Sequence, residues 1–249
     1  MKFTGKNVLV TGGGRGIGAG IATTLAQYGL KVWINYNNSE EHAKSLMNEI
    51  LDKFPDAEVE TIRFNVASEM NFLDAMNHII QQDGGLDYLV NNAGITNDKI
   101  SISMSVSEYD QVMNVNARSC FIGSREALKI MARKHFGAVV NISSVTAQMG
   151  NVGQVNYASS KGAINSMTKT FALEGALRGV RFNSVSPGLI KTDMVKHVND
   201  DAINVLKSRI PMRRLGTIDE VSYTVAFLLS DYASYITGEN ININGGIYM

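Results

Sequence analysis

Tyr157-Ala158-Ser159-Ser160-Lys161 sets a phenol and an ammonium four residues apart, on one face of any helix that carries them. A free tyrosine titrates near pH 10, too high for easy proton exchange at neutrality, and a nearby cation favours its phenolate. We therefore expect Lys161 to lower the Tyr157 pKa toward the working range. Such a pair suits a reaction that delivers a proton to a developing alkoxide, as in the reduction of a ketone by hydride. Ser144, which ends a strand-like run, offers a hydroxyl to hold that oxygen. The spacing alone proves little, and its force comes from its surroundings.

Thr11-Gly12-Gly13-Gly14-Arg15-Gly16-Ile17-Gly18 is the second chemical feature. Glycines at a strand-to-helix turn allow positive φ, let the backbone approach a pyrophosphate, and pack the helix on the sheet. The main spacing, Gly12, Gly16 and Gly18, differs from G-x-G-x-x-G. Its position at the start of a βαβ unit gives the nucleotide reading its weight. A site for NAD usually offers an acid near the end of the second strand, where this chain has Asn35-Tyr36-Asn37-Asn38-Ser39 and no acid before Glu40. Arg15 presents a planar fork of donors to a 2′-phosphate, so the sequence predicts NADP(H) over NAD(H).

These residues need a frame that brings strand ends and helix starts together. Strand-like runs fall at Asn7–Thr11, Lys31–Asn35, Val59–Phe64, Leu86–Asn91, Ala138–Ser143, Val180–Val185 and Asn240–Ile243. Helical patterns separate them at Gly16–Tyr28, Ser39–Phe54 and about 68–82, 107–134, 155–177 and 217–230. Ser39 is expected to cap its helix, with Glu40 and Glu41 at the positive end of the dipole, and Pro55 to close it. The alternation predicts an α/β fold: a doubly wound, Rossmann-type parallel sheet of about seven strands, flanked by helices, in a single domain. Ligands then bind at the carboxyl ends of the strands. The polar stretch 191–214, with a helical pattern around Asp201 to Arg209, is expected to be a substrate lid at that edge.

Composition narrows the function classes. The 249 residues carry 23 basic and 23 acidic side chains, which argues against a general polyanion binder. One cysteine, Cys120, rules out an intrachain disulfide and fits a reducing compartment. No apolar run approaches a membrane span, and the early first strand leaves no room for a signal peptide, so a cytoplasmic protein is expected. His42, His78, His135 and His197 lack ligand spacing, so no metal site is expected. Met104, Met113, Met131 and Met149 read as core or pocket filler.

Taken together, Thr11-Gly12-x-x-x-Gly16-x-Gly18, Asn91-Asn92-Ala93-Gly94, Ser144, Tyr157-x-x-x-Lys161 and Pro187-Gly188 resemble the short-chain dehydrogenase/reductase family along nearly the whole chain. The resemblance implies a catalytic tetrad of Asn116, Ser144, Tyr157 and Lys161, with Asn116 holding a water that links Lys161 to a proton relay. It implies a dinucleotide bound by Gly12, Gly14, Arg15, Gly16, Ile17, Gly18, Asn37, Asn65, Val66, Asn92, Ala93 and Gly94, and by Tyr157 and Lys161. Pro187, Gly188, Ile190 and Thr192 would border the nicotinamide and its phosphate. One departure is Asn65, where the family commonly has aspartate beside the adenine.

Gly94-Ile95-Thr96, the tract Met149 to Tyr157 and the tail from Ile236 to Met249 are similar to members that reduce 3-oxoacyl thioesters on acyl carrier protein. That similarity implies a role in fatty-acid synthesis, a homotetramer, and a basic docking surface near the site's mouth made by Arg178, Arg133, Lys134 and His135. Two alternatives stay open: a reductase of another carbonyl compound (a sugar, a small ketone or acetoacetyl-CoA), and a nucleotide-sensing protein without catalysis.

Overall fold

Runs of Val, Ile and Leu without polar alternation form strands buried on both faces. In the computed structural model, which describes residues 1–192, 204–205 and 207–249, seven strands, the five between the edges largely buried, make one parallel sheet. They are β1 (Asn7–Val10), β2 (Lys31–Tyr36), β3 (Val59–Arg63), β4 (Tyr88–Asn91), β5 (Gly137–Ile142), β6 (Val180–Pro187) and β7 (Asn240–Ile243), in the order β3-β2-β1-β4-β5-β6-β7. The predicted doubly wound sheet is therefore present. Its order reverses between β1 and β4, the place where such sheets open a ligand crevice.

Helices α1 (Gly16–Gln27), α2 (Glu40–Lys53) and α3 (Glu69–Asp83) follow the first three strands. Helices α4 (Val106–Met113) and α5 (Ser119–Lys134) lie between β4 and β5, the short α6 (Thr146–Met149) and long α7 (Val155–Ala176) precede β6, and α8 (Ile218–Leu229) precedes β7. Alternate side chains of each strand enter opposite cores. Val8, Val10, Val32 and Ile34 pack with Ile21, Leu25 and Val225 on one face. Leu9, Trp33, Leu89 and Val139 meet Phe72, Ile122 and Phe171 on the other.

Three expectations change. The helical pattern at 107–134 is split by a π-turn at Asn114–Arg118, with Asn116 inside it. Ser39 precedes α2 but its side chain makes no capping hydrogen bond, leaving Glu40 and Glu41 to suit the dipole. Met131 is fully buried as expected, whereas Met149 is half exposed, because α6 is a single turn at the sheet's edge. Half of the expected lid at 191–214, residues 193–203 and 206, lies outside the described residues.

Candidate active site

The glycine turn is built by its neighbours. Gly12 stands at φ +60° and Gly16 at φ +56°, conformations costly for other residues. The Gly12 amide donates to Asn35 Oδ1 at 3.0 Å and the Gly13 amide to the Asn35 carbonyl at 3.0 Å. Asn92 Nδ2 donates to the carbonyls of Thr11 and Gly12 at 2.9 and 3.0 Å, while Thr11 Oγ1 accepts from the Asn92 and Ala93 amides. A Cβ on Gly18 would run into the Gly12 carbonyl and the Asn92 amide, so only glycine lets α1 begin so close to the turn.

No side chain caps α1 and its first turn holds no acid. Its leading amides therefore point, with the positive dipole end, into the crevice beside an exposed Arg15. That arrangement fits a pyrophosphate. Asn37 and Asn65 share a cavity at the ends of β2 and β3 with Arg63, whose Nε donates to the Asn37 carbonyl. Asn65 Oδ1 accepts from the Ala67 amide, which shapes the turn before the buried Val66. Pro187, which accepts from the Val145 amide, and Gly188, which donates to Ile243, end β6 at the same edge. Ile190 beyond them is buried, and Thr192 is partly so.

The four expected tetrad residues converge. Tyr157 lies in the first turn of α7, and the Lys161 ammonium is 5.6 Å from its ring centre on the same face. Gly94 abuts the site: a Cβ there would lie 3.3 Å from Asn116 Oδ1 and 3.6 Å from Lys161 Nζ. Ser144 Oγ accepts from the Thr146 amide at 3.1 Å, so its own proton remains to be donated.

One expectation about these groups needs correction. Burial raises the Tyr157 pKa above its ordinary value; the Ser144 hydroxyl beside it works the other way, and Asp98 adds a further upward push. Lys161 does not bring the phenol down here. Its own pKa is lowered to about 8 because its ammonium is buried, donating to the Ile142 carbonyl at 2.7 Å. Desolvation outweighs the pairing that the spacing suggested. Asn116, in turn, uses its side chain structurally. Its Oδ1 accepts from the Ile95 amide at 2.8 Å, and its Nδ2 donates to the Ile95 carbonyl and to Ser160 Oγ, each at 3.0 Å. Both amide protons are committed, so the side chain fixes the loop after β4.

Residues 12–248 match the short-chain family described as enoyl-(acyl carrier protein) reductase. Over 249 residues, all of both chains, the sequence is 41% identical to a 3-oxoacyl-[acyl-carrier-protein] reductase FabG of Staphylococcus aureus. The chain belongs to the short-chain dehydrogenase/reductase family. Its Staphylococcus epidermidis relative of the same name is 40% identical over 98% of this chain and 99% of that protein. The Rickettsia prowazekii one is 41% identical over 100% and 99%. Short-chain dehydrogenases/reductases are oxidoreductases that use a nicotinamide cofactor, and the open N-terminus of α1 suits one.

Within this short-chain dehydrogenase/reductase, the expected docking residues sit at the far end of α7 from this chain's own Tyr157. Helices α5 and α7 run against the strands, so Arg133, Lys134 and His135 end α5 at the amino edge of the sheet, and Arg178 follows the end of α7. Gly179 backs onto the His135 carbonyl, which joins the two groups in one patch. At 1.5 Å per residue, Arg178 is about 30 Å from Tyr157 along the helix axis. Lys134 is also paired with Asp87. The patch therefore lies away from this chain's own site.

Several residues that organise the site had no role assigned from the sequence. Asn35 was read only as a missing acid, yet its amide is buried and holds the glycine turn. Asn91, Asn141 and Thr168 form a buried chain, Nδ2 to Oδ1 at 2.8 Å and Nδ2 to Oγ1 at 2.9 Å, that ties β4 and β5 to α7. Polar residues inside apolar strand runs are the signal that marks all three asparagines. Among the described residues, no helix is long and apolar enough to cross a membrane.

Proposed function

We propose that this protein is an NADPH-dependent reductase of 3-oxoacyl thioesters carried by acyl carrier protein, acting in fatty-acid biosynthesis. The observation that carries the reading is the convergence of Ser144, Tyr157, Lys161 and Asn116 beside an uncapped helix N-terminus. The names of the relatives supply the substrate class.

A bound dihydronicotinamide supplies hydride; the protein's own groups do the rest. Ser144 donates a hydrogen bond to the ketone oxygen and steadies its developing charge. Tyr157 gives that oxygen a proton, and its raised pKa keeps the proton in place at neutral pH. Lys161, with a pKa of about 8, is poised to exchange protons near neutrality and to hold the nicotinamide ribose. Asn116 keeps Gly94 and Ile95 in place beside Lys161. Gly12, Gly14, Gly16, Ile17 and Gly18 would hold the pyrophosphate side, with Arg15 at the 2′-phosphate. Asn37, Asn65 and Val66 would border the adenosine, and Pro187, Gly188, Ile190 and Thr192 the nicotinamide.

Preference for NADPH rests on Arg15 and on Glu40 being occupied by Lys44 at 2.7 Å. We also propose a cytoplasmic homotetramer. Phe121 on α5 and Leu173 and Leu177 at the end of α7 are exposed apolar groups of the kind that copies bury against each other. In such an assembly the Arg133–His135–Arg178 patch serves a carrier only beside the mouth of another copy.

The test follows NADPH absorbance with 3-oxoacyl thioesters of carrier protein and of coenzyme A, with an enoyl thioester as the control for double-bond reduction. Oxidation of NADPH driven by the 3-oxoacyl carrier substrate is expected. Turnover of the enoyl compound alone, or of neither, rejects the reading.

A further inference from the structure

The loop that leaves β4 is stitched to the start of the catalytic helix. The Asn97 carbonyl accepts from Asn156 Nδ2 at 2.9 Å, and the Lys99 amide donates to the Gly153 carbonyl at 2.8 Å. Between them, Gln154 Nε2 donates to Asp98 Oδ2 at 2.7 Å. Gln154 precedes α7 and stands three residues before Tyr157, while Asn156 Oδ1 accepts the Tyr157 amide at 2.7 Å. The loop's other side is held by Lys99 Nζ on Glu108 and by Asn116 on Ile95. Two of the three stitches to α7 use the loop's backbone, which any residue supplies. Only Asp98–Gln154 joins two side chains, so it is the stitch that depends on the identity of a loop residue.

We propose that Asp98 is a positioning residue for the reaction, acting through Gln154 to hold the loop after β4 against the first turn of α7 and so to fix the Tyr157 hydroxyl. The proposal rests on Tyr157 being the proton donor. The ionisable and polar groups facing that phenol are Ser144 from the end of β5, Lys161 from α7 with Cys120 of α5 behind it, and Asp98 from the loop. Lys99 is held off by Glu108. The carboxylate's charge also favours the protonated phenol, the form that an acid needs and a base does not.

The test compares the full-length enzyme with Asp98→Ala, Asp98→Asn, the exchange Asp98→Asn/Gln154→Glu, and Tyr157→Phe, using NADPH and a 3-oxoacyl thioester. In Asp98→Ala, kcat is expected to fall roughly tenfold through misplacement of the phenol, with NADPH affinity and the unfolding midpoint nearly unchanged. Asp98→Asn still accepts from Gln154 and keeps most of kcat. Its pH profile loses activity at lower pH on the alkaline side, because a tyrosine without a neighbouring negative charge deprotonates sooner. The exchange restores both the bond and the charge and returns the profile toward wild type.

Wild-type turnover in Asp98→Ala overturns the proposal. So does a loss in Asp98→Ala that tracks a fall in the unfolding midpoint and is absent from neither Asp98→Asn nor the exchange. A dead Tyr157→Phe beside a fully active Asp98→Ala overturns this inference and leaves the acid role intact, whereas an active Tyr157→Phe overturns both.

Discussion

Lys161 donates its ammonium to the carbonyl oxygen of Ile142 at 2.7 Å, and both residues are buried. The bond aims the amine at the end of β5, just before Ser143 and Ser144. It also removes the charge from water, which costs stability that Tyr157 does not return.

Lys161→Met should therefore abolish turnover and yet raise the unfolding midpoint at pH 7. The folded pKa of about 8 lies below the ordinary 10.5, so the native state binds this proton less tightly than the unfolded chain does. The penalty, about 3 kcal/mol, is present in full below pH 8 and relieved as pH rises toward 10.5. The advantage of the Met variant should shrink over that window. Denaturant titrations of both proteins at pH 7 and pH 10 measure it, and equal differences at the two pH values refute it.

Ser160 donates to the Tyr157 carbonyl at 2.8 Å and accepts from Asn116 Nδ2 at 3.0 Å, fully buried. Ser160→Ala leaves an Asn116 proton without a partner. The expected loss is about 1–3 kcal/mol, read from the denaturation midpoint at unchanged slope. No measurable loss would mean that water replaces the hydroxyl.

Gly18→Ala places a methyl against the Gly12 carbonyl and the Asn92 amide. Backbone on one side and a fixed amide on the other leave it little room. NADPH affinity should fall at least about tenfold, as the turn shifts by a fraction of an ångström. Fluorescence titration with the cofactor detects this, and native affinity would show that the turn yields.

Arg15→Met tests the cofactor preference. Loss of a charged hydrogen-bonding partner to phosphate should raise the KM for NADPH by roughly tenfold to a hundredfold. The KM for NADH should stay as it is. Parallel rises for both cofactors would assign Arg15 to the pyrophosphate instead.

Much of this arrangement is visible in residue types alone. The strands are legible because Val8-Leu9-Val10 and Val139-Val140 are buried on both faces and need no alternation. Tyr157 and Lys161 are legible because helical period alone puts them together. The π-turn at Asn114–Arg118 is not, since one extra residue in a helical turn leaves the apolar spacing almost unaltered. The Tyr157 pKa is not, because its sign depends on depth of burial, which spacing does not encode. The position of the basic patch is not, for a third reason. Charges near a helix end identify a surface, but which edge of the sheet they reach depends on the direction of α5 and α7.

Asn35 has a practical consequence for anyone wishing to build a site for an unphosphorylated coenzyme ribose. Installing a carboxylate at the tip of the second strand invites substitution of this asparagine. Its oxygen, however, receives the Gly12 amide while its nitrogen donates to the carbonyls of Tyr36 and Phe64. An aspartate there has no proton to donate and would unfasten the bend it was meant to decorate. Redesign should spare this rivet and start at Asn37, whose side chain already faces solvent.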